Sequence, residues 1–185
     1  MNHTYVDIEM NQPSGKIIEV GWCIADPVTQ VVAERGFQFV NPGEPLSDYI
    51  KTLTRIKQED IDEAGQPLET AVMLLMNKHS EHQSFCNPVT WGGGDVEEIK
   101  RQVRGIDLKR ELDLRFGHRW VDVKTIFQAY QMARGMRPQS GLAKSLIKLG
   151  LKFEGTKHRA VDDAYNTYRA HAALLTLIKA GAKLV

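Results

Sequence analysis

Asp7 and Glu9 stand two residues apart in Thr4-Tyr5-Val6-Asp7-Ile8-Glu9, a spacing that puts both carboxylates on one side of an extended chain. Their backbones would lie about 7 Å apart, close enough for the two acids to share cations. The pattern alone is weak, because Asp95-Val96-Glu97 repeats it. Val6 and Ile8 distinguish the first copy. Their alternation with the acids predicts a strand whose other face is buried, and carboxylates on a core strand need partners or a metal. Asp95 follows Trp91-Gly92-Gly93-Gly94, where a strand pattern passes into a helical one. It suits a helix N-cap there as well as a ligand position. The glycines match neither GxGxxG nor a run ending in Gly-Lys-Ser/Thr, so a phosphate loop is not indicated. Their expected use is to let another chain approach the backbone.

The most specific stretch is His158-Arg159-Ala160-Val161-Asp162-Asp163, at the start of the last helical pattern. At ~100° per residue, Ala160, Ala164, Thr167, Leu174, Leu175 and Ile178 form its core face. Asp163 falls at the edge of that face, which favours it as a ligand. Asp162 points away and reads as a solvated acid of the first turn, favourable to the helix dipole. His158, five residues before Asp163, cannot share its helical face and is expected on the loop leading in. A mobile position there would suit a base that approaches with substrate, and a free imidazole titrates near ~6.5. His79 and His82 are spaced for a shared metal but lack a third ligand, and His171 falls on the core face, as a hydrogen-bonded structural histidine would. His3 and His118 have no constellation around them.

Strand patterns run over Thr4–Glu9, Lys16–Ala25 and Gln30–Val40, with Pro13-Ser14-Gly15 and Asp26-Pro27 as turns, which predicts an antiparallel meander. After Asn41-Pro42-Gly43 the pattern becomes helical, with a long helix expected over Pro67–Gln83. A strand is expected over Ser84–Trp91. Helices are expected over Asp95–Val103, Asp122–Arg134, Gly141–Leu149 and Arg159–Ala180. Meander strands followed by strands alternating with helices predict a single α/β domain over residues 1–185, with a mixed central sheet of three meander strands plus parallel strands, flanked by helices.

The composition limits what such a domain could do. Hydrophobic residues make up 42% and charged ones 25%, an ordinary globular balance. No apolar run approaches the ~20 residues of a membrane span, and no signal-peptide pattern opens the chain, so a cytoplasmic protein without membrane partners is expected. Cys23 and Cys86 lie far apart, which points to two buried, reduced thiols rather than a disulfide or thiolate zinc site. The net charge of +1 exerts no whole-protein pull on nucleic acid, but its distribution is uneven. Residues 1–63 hold eleven acids against five bases. Residues 134–159 reverse this, with Arg134, Arg137, Lys144, Lys148, Lys152, Lys157 and Arg159 against Glu154. Such a stretch suits a phosphate path, and equally a solvated helix face.

Taken in order, Asp7-Ile8-Glu9, Asp95 and His158-x-Ala160-x-x-Asp163 resemble the DEDDh exonuclease superfamily over nearly the whole chain. Leu53-Thr54-Arg55-Ile56-Lys57-Gln58-Glu59-Asp60-Ile61 is similar to a segment of its enhanced-RNA-interference type exoribonucleases. Trp91-Gly92 and the run from Leu149-Gly150-Leu151 to Phe153-Glu154-Gly155 point the same way, and Met10 after Glu9 resembles oligoribonuclease. The resemblance implies a ribonuclease H-like fold and removal of 5′-mononucleotides from the 3′ end of RNA or DNA. It implies Asp7, Glu9, Asp95 and Asp163 as ligands of two divalent ions, and His158 as the base. Asp7 would bridge the ions, Glu9 and Asp163 would complete one shell, and Asp95 would help hold the other through water. All-oxygen ligands favour Mg²⁺ or Mn²⁺ over zinc. Met10 is a candidate contact for the terminal base, or core; Arg159 is a candidate substrate contact. Met10-Asn11-Gln12 lacks the Thr or Ala that many members place after the glutamate. A non-catalytic nucleic-acid-binding module of the same fold is the alternative reading. The sequence does not indicate an oligomeric state.

Overall fold

A computed structural model describes residues 1–138 and 141–181. Strands β1 (His3–Met10), β2 (Ile17–Asp26) and β3 (Val31–Phe39) form the expected meander. Two short strands, β4 (Val89–Thr90) and β5 (Val121–Asp122), extend it in parallel on the β1 side, giving the order β3-β2-β1-β4-β5. Eight helices among the described residues flank this sheet: α1 (Asp48–Thr54), α2 (Gln58–Ala64), α3 (Leu68–Glu81), α4 (Gly94–Gln102), α5 (Ile106–Phe116), α6 (Val123–Ala133), α7 (Leu142–Lys148) and α8 (Ala160–Gly181).

β1 follows the alternation read from its sequence. Val6 and Ile8 enter one core cluster with Val20, Trp22 and the α3 residues Val72, Leu75 and Met76. Tyr5 faces the opposite side and packs with Ala164 and Tyr168 of α8. The sheet is therefore covered on both faces, and all ten residues of β2 are buried. Cross-strand partners share a face, so Tyr5, Asp7 and Glu9 lie beside Cys23, Gly21 and Glu19 on the α8 side. Gly21 is required there. A Cβ at that position would overlap the backbone of Ala160 and Val161, so its absence lets the start of α8 settle directly on the sheet.

Several sequence expectations change. Of Ser84–Trp91, Val89 and Thr90 alone pair as a strand, while β5 and α5 had no sequence counterpart. Cys23 is buried as expected, but Cys86 is exposed, and both are free thiols. The histidines of the 79–82 pair turn to different partners: His79 is buried against Thr4, and His82 meets Glu34. His171 is buried on Tyr5. No described helix is long and apolar enough to cross a membrane.

Candidate metal centre

The carboxylates collect where the α8 face of the sheet meets the starts of α4 and α8. β1 supplies Asp7 and Glu9, the first turn of α4 supplies Asp95, and the first turn of α8 supplies Asp163. One ligand atom each from Glu9, His158 and Asp163 lies within 4.8 Å of the others. Asp7 and Asp95 join them electrostatically. Burial first, then the negative charges of Asp95, Asp163, Glu9 and Glu19, hold the Asp7 carboxyl well above the usual carboxylate range. Burial and the charge of Asp163 push Glu9 up to about 8. Asp95 rises to about 7 through burial and the charges of Asp122 and Asp163. Asp163 also rises to about 7 through burial, opposed in part by the N–H it receives from His158.

Two further acids belong to this region and were not singled out in the sequence. Asp122 caps α6 through Thr125 and accepts the Gly92 N–H at 2.9 Å. It thereby fixes the turn before α4, where Gly92 adopts a φ of 103° that favours glycine. Gly93, not Asp95, is the N-cap of that helix, so the capping alternative for Asp95 is set aside. Gly93 and Gly94 face open space. Glu19, wholly buried opposite Glu9, takes the Arg159 guanidinium and the Ala160 N–H. Glu19 meets Arg159 from 140 residues away and Asp122 meets Gly92 from 30 residues away, contacts that neither spacing nor periodicity marks.

The segment before α8 carries several hydrogen bonds to that helix. Buried Asn166 binds both the N–H and the carbonyl of Glu154. The Asp162 carboxylate accepts the Thr156 N–H at 2.8 Å and pairs with Arg35 at 2.7 Å, so it organises this loop instead of standing in solvent. His158 is exposed, has a left-handed φ of 62°, and donates its N–H to Asp163 at 2.8 Å. A left-handed backbone is costly for any residue with a Cβ and persists where its surroundings enforce it. Met10 is half-buried and packs against the core cluster beneath β1. Arg159, expected to face substrate, has its guanidinium committed to Glu19.

A metal suits these residues. Four carboxylates share a partly buried space, and the nearest cations are limited: Arg159 is paired with Glu19, and Lys157 is exposed. The donor set of carboxylate oxygens suits a hard divalent ion.

A five-stranded mixed sheet with this acid cluster on its central strand is a ribonuclease H-like nuclease framework. The chain belongs to the RNase T exonuclease family, whose model matches residues 5–171. It is similar to the 3′-5′ exonuclease Snipper of Drosophila melanogaster, with 28% identity over 82% of this chain and 58% of that protein. It is also 27% identical to the probable 3′-5′ exonuclease KapD of Bacillus subtilis, over 89% of this chain and 80% of that one. ERI1 exoribonuclease 2 of Mus musculus is 25% identical over 83% of this chain but only 24% of its own length. The chain thus spans little more than half of Snipper and a quarter of the mouse protein. Among solved structures, the nuclease domain of 3′hExo, a DEDDh family member bound to rAMP, superposes with a TM-score of 0.75. That match has 20% identity and covers 95% of this chain and 92% of that one.

Proposed function

We propose that this chain is a metal-dependent 3′-to-5′ exonuclease that removes 5′-mononucleotides from single-stranded or short 3′ ends, with RNA favoured over DNA. The observation that carries this reading is the convergence of Asp7, Glu9, Asp95 and Asp163 with raised carboxyl pKa values, beside a His158 ligand atom within 4.8 Å of Glu9 and Asp163. The RNA preference draws on the exoribonuclease names among the relatives.

Two divalent ions held by the four acids would neutralise the phosphate and stabilise both oxygens of an in-line displacement. The acids would set where the ions and the scissile phosphate sit. His158 takes a proton from the attacking water, and its solvent exposure lets the proton leave afterwards. Beside His158 lies a cavity of about 500 Å³ whose lining includes Tyr49, Leu53, Phe153, Arg55 and Lys157. Its aromatic and aliphatic walls suit the terminal base, and its two cations suit phosphate oxygens. A site that holds one nucleotide beyond the cleaved bond releases mononucleotides. The basic residues from Arg134 to Lys157 would follow the rest of the strand by charge, without sequence preference. Met10, next to Glu9, can flank the sugar or base from the core side. Residues 1–185 would form one exonuclease domain.

The test offers 5′-labelled single-stranded RNA and DNA to wild type and Asp7→Asn, with Mg²⁺ or a chelator. A ladder shortened from the 3′ end by wild type with metal alone is expected. Equal activity in the variant or in chelator would contradict the reading, and binding without cleavage by wild type would favour the non-catalytic module.

A further inference from the structure

We infer that Glu19 is a positioning residue for His158, acting through a buried clamp on Arg159 and Ala160. The inference rests on the proposed exonuclease reading for its catalytic consequence, but its geometry stands apart from it.

Glu19 is an acid in a place that disfavours acids, wholly buried near the start of β2. It is the cross-strand partner of Glu9, on the same face and next to the proposed metal ligands. Its own oxygens are already engaged. Oε1 accepts from Arg159 Nε at 3.1 Å and from a terminal guanidinium nitrogen at 2.8 Å, while Oε2 accepts the Ala160 N–H at 2.8 Å. With both oxygens occupied by donors, Glu19 is poorly placed to bind an ion and well placed to hold the chain that carries the base. Arg159 is also walled by the rings of Phe37 and Phe39 on β3, at 5.1 and 5.4 Å.

The consequence falls on His158 because of where the clamp grips. Arg159 directly follows His158, and Ala160 is the first residue of α8. The N–H of His158 is taken by Asp163 and that of Ala160 by Glu19, so two carboxylates hold the backbone on either side of Arg159. Gly21, two residues along β2, lets Ala160 and Val161 sit against the sheet at the same point. A left-handed His158 costs conformational energy, and this double grip offsets it. Without Glu19, the turn can relax toward an ordinary backbone and swing the imidazole away from Glu9 and Asp163. Asp163 keeps its place on α8, so metal binding should outlast the loss of positioning.

The experiment compares wild type, Glu19→Gln and Arg159→Ala on 5′-labelled single-stranded RNA with Mg²⁺. Both variants should lose roughly 10–100-fold in kcat, as supporting partners of a metal site do, with KM near wild type. Each should still gain thermal stability on adding Mg²⁺. Millimolar guanidinium ion should restore part of the kcat of Arg159→Ala and none of that of Glu19→Gln. Unchanged kcat in folded Glu19→Gln, or no guanidinium rescue of Arg159→Ala, overturns the inference. If Glu19→Gln fails to fold, the guanidinium titration decides alone. If wild type shows no exonuclease activity, the exonuclease reading fails, and amide exchange at His158 and Ala160 tests the clamp instead. Faster exchange at both in either variant, with β1 unaffected, supports the clamp, and unchanged exchange overturns it.

Discussion

The two ends of β1 treat buried polar groups in opposite ways. At its start, Thr4 and Tyr5 each meet a histidine, Thr4 with His79 and Tyr5 with His171, both at 2.9 Å. Burial drives His79 and His171 down to about 4, so they are neutral partners whose hydrogen bonds are completed inside the protein. Two residues further along, Asp7 and Glu9 face other carboxylates, and burial drives their pKa values up. The first end is finished by the fold. The second is left with negative charge that the fold does not answer, which is how a strand built for stability differs from one built to receive cations.

The contrast can be broken at its functional end first. His158→Ala should reduce kcat by roughly 10²–10⁴-fold, the range for loss of a general base, while metal-induced stabilisation persists. Steady-state kinetics with a parallel melting series checks this, and a variant that also lost the metal response would make His158 a ligand rather than a base.

The second effect is the dependence of stability on pH. The folded-state pKa values of Glu9, Asp95 and Asp163, at about 8, 7 and 7, lie above the ordinary carboxylate range. Between roughly pH 4 and 8 the folded protein therefore binds more protons than the unfolded chain at these groups, and they make stability fall as pH rises. His79 and His171 act in the other direction. Their folded values near 4 lie below the ordinary histidine value of 6.5, so stability is lost as pH falls from 6.5 towards 4. Metal-free protein should thus melt lower at pH 8 than at pH 6.5. Saturating Mg²⁺ should abolish that decline and leave the acid-side loss in place. Each kcal/mol recovered should raise Tm by about 2–4 °C. A flat metal-free profile between pH 6.5 and 8 would contradict the cluster.

The smallest effect belongs to the completed end. His79→Ala removes the partner of buried Thr4 and should cost about 1–3 kcal/mol of stability with little change in kcat. Denaturant melts and kinetics on the folded fraction separate the two.

How far the sequence could be read follows from the range of each interaction. β1 and the meander were legible because alternation and turns are local, and Asp163 was separated from Asp162 because helical rotation is local too. The Leu53–Ile61 run, matched by resemblance, proves to be the junction of α1 and α2, which packs Ile56 and Ile61 against Ile18. Asp162 was misread since its partners, Arg35 and Thr156, lie off the helix. Glu19 was missed because it looks like one more charge in a strand until Arg159, 140 residues away, is brought onto it. α5 escaped since Leu112, Leu114 and Phe116 alternate like a strand, although Leu114 is exposed and the buried pair Leu112 and Phe116 follows the helical spacing. β5, with two residues, is too short to carry a period.

Calorimetric titration of Mn²⁺ into the metal-free protein, beside Asp7→Asn, tests the acid cluster most directly. Two ions per chain are expected to bind wild type, with binding lost or reduced to a weak site in the variant. No heat of binding in wild type, or the same isotherm in both proteins, would contradict the account.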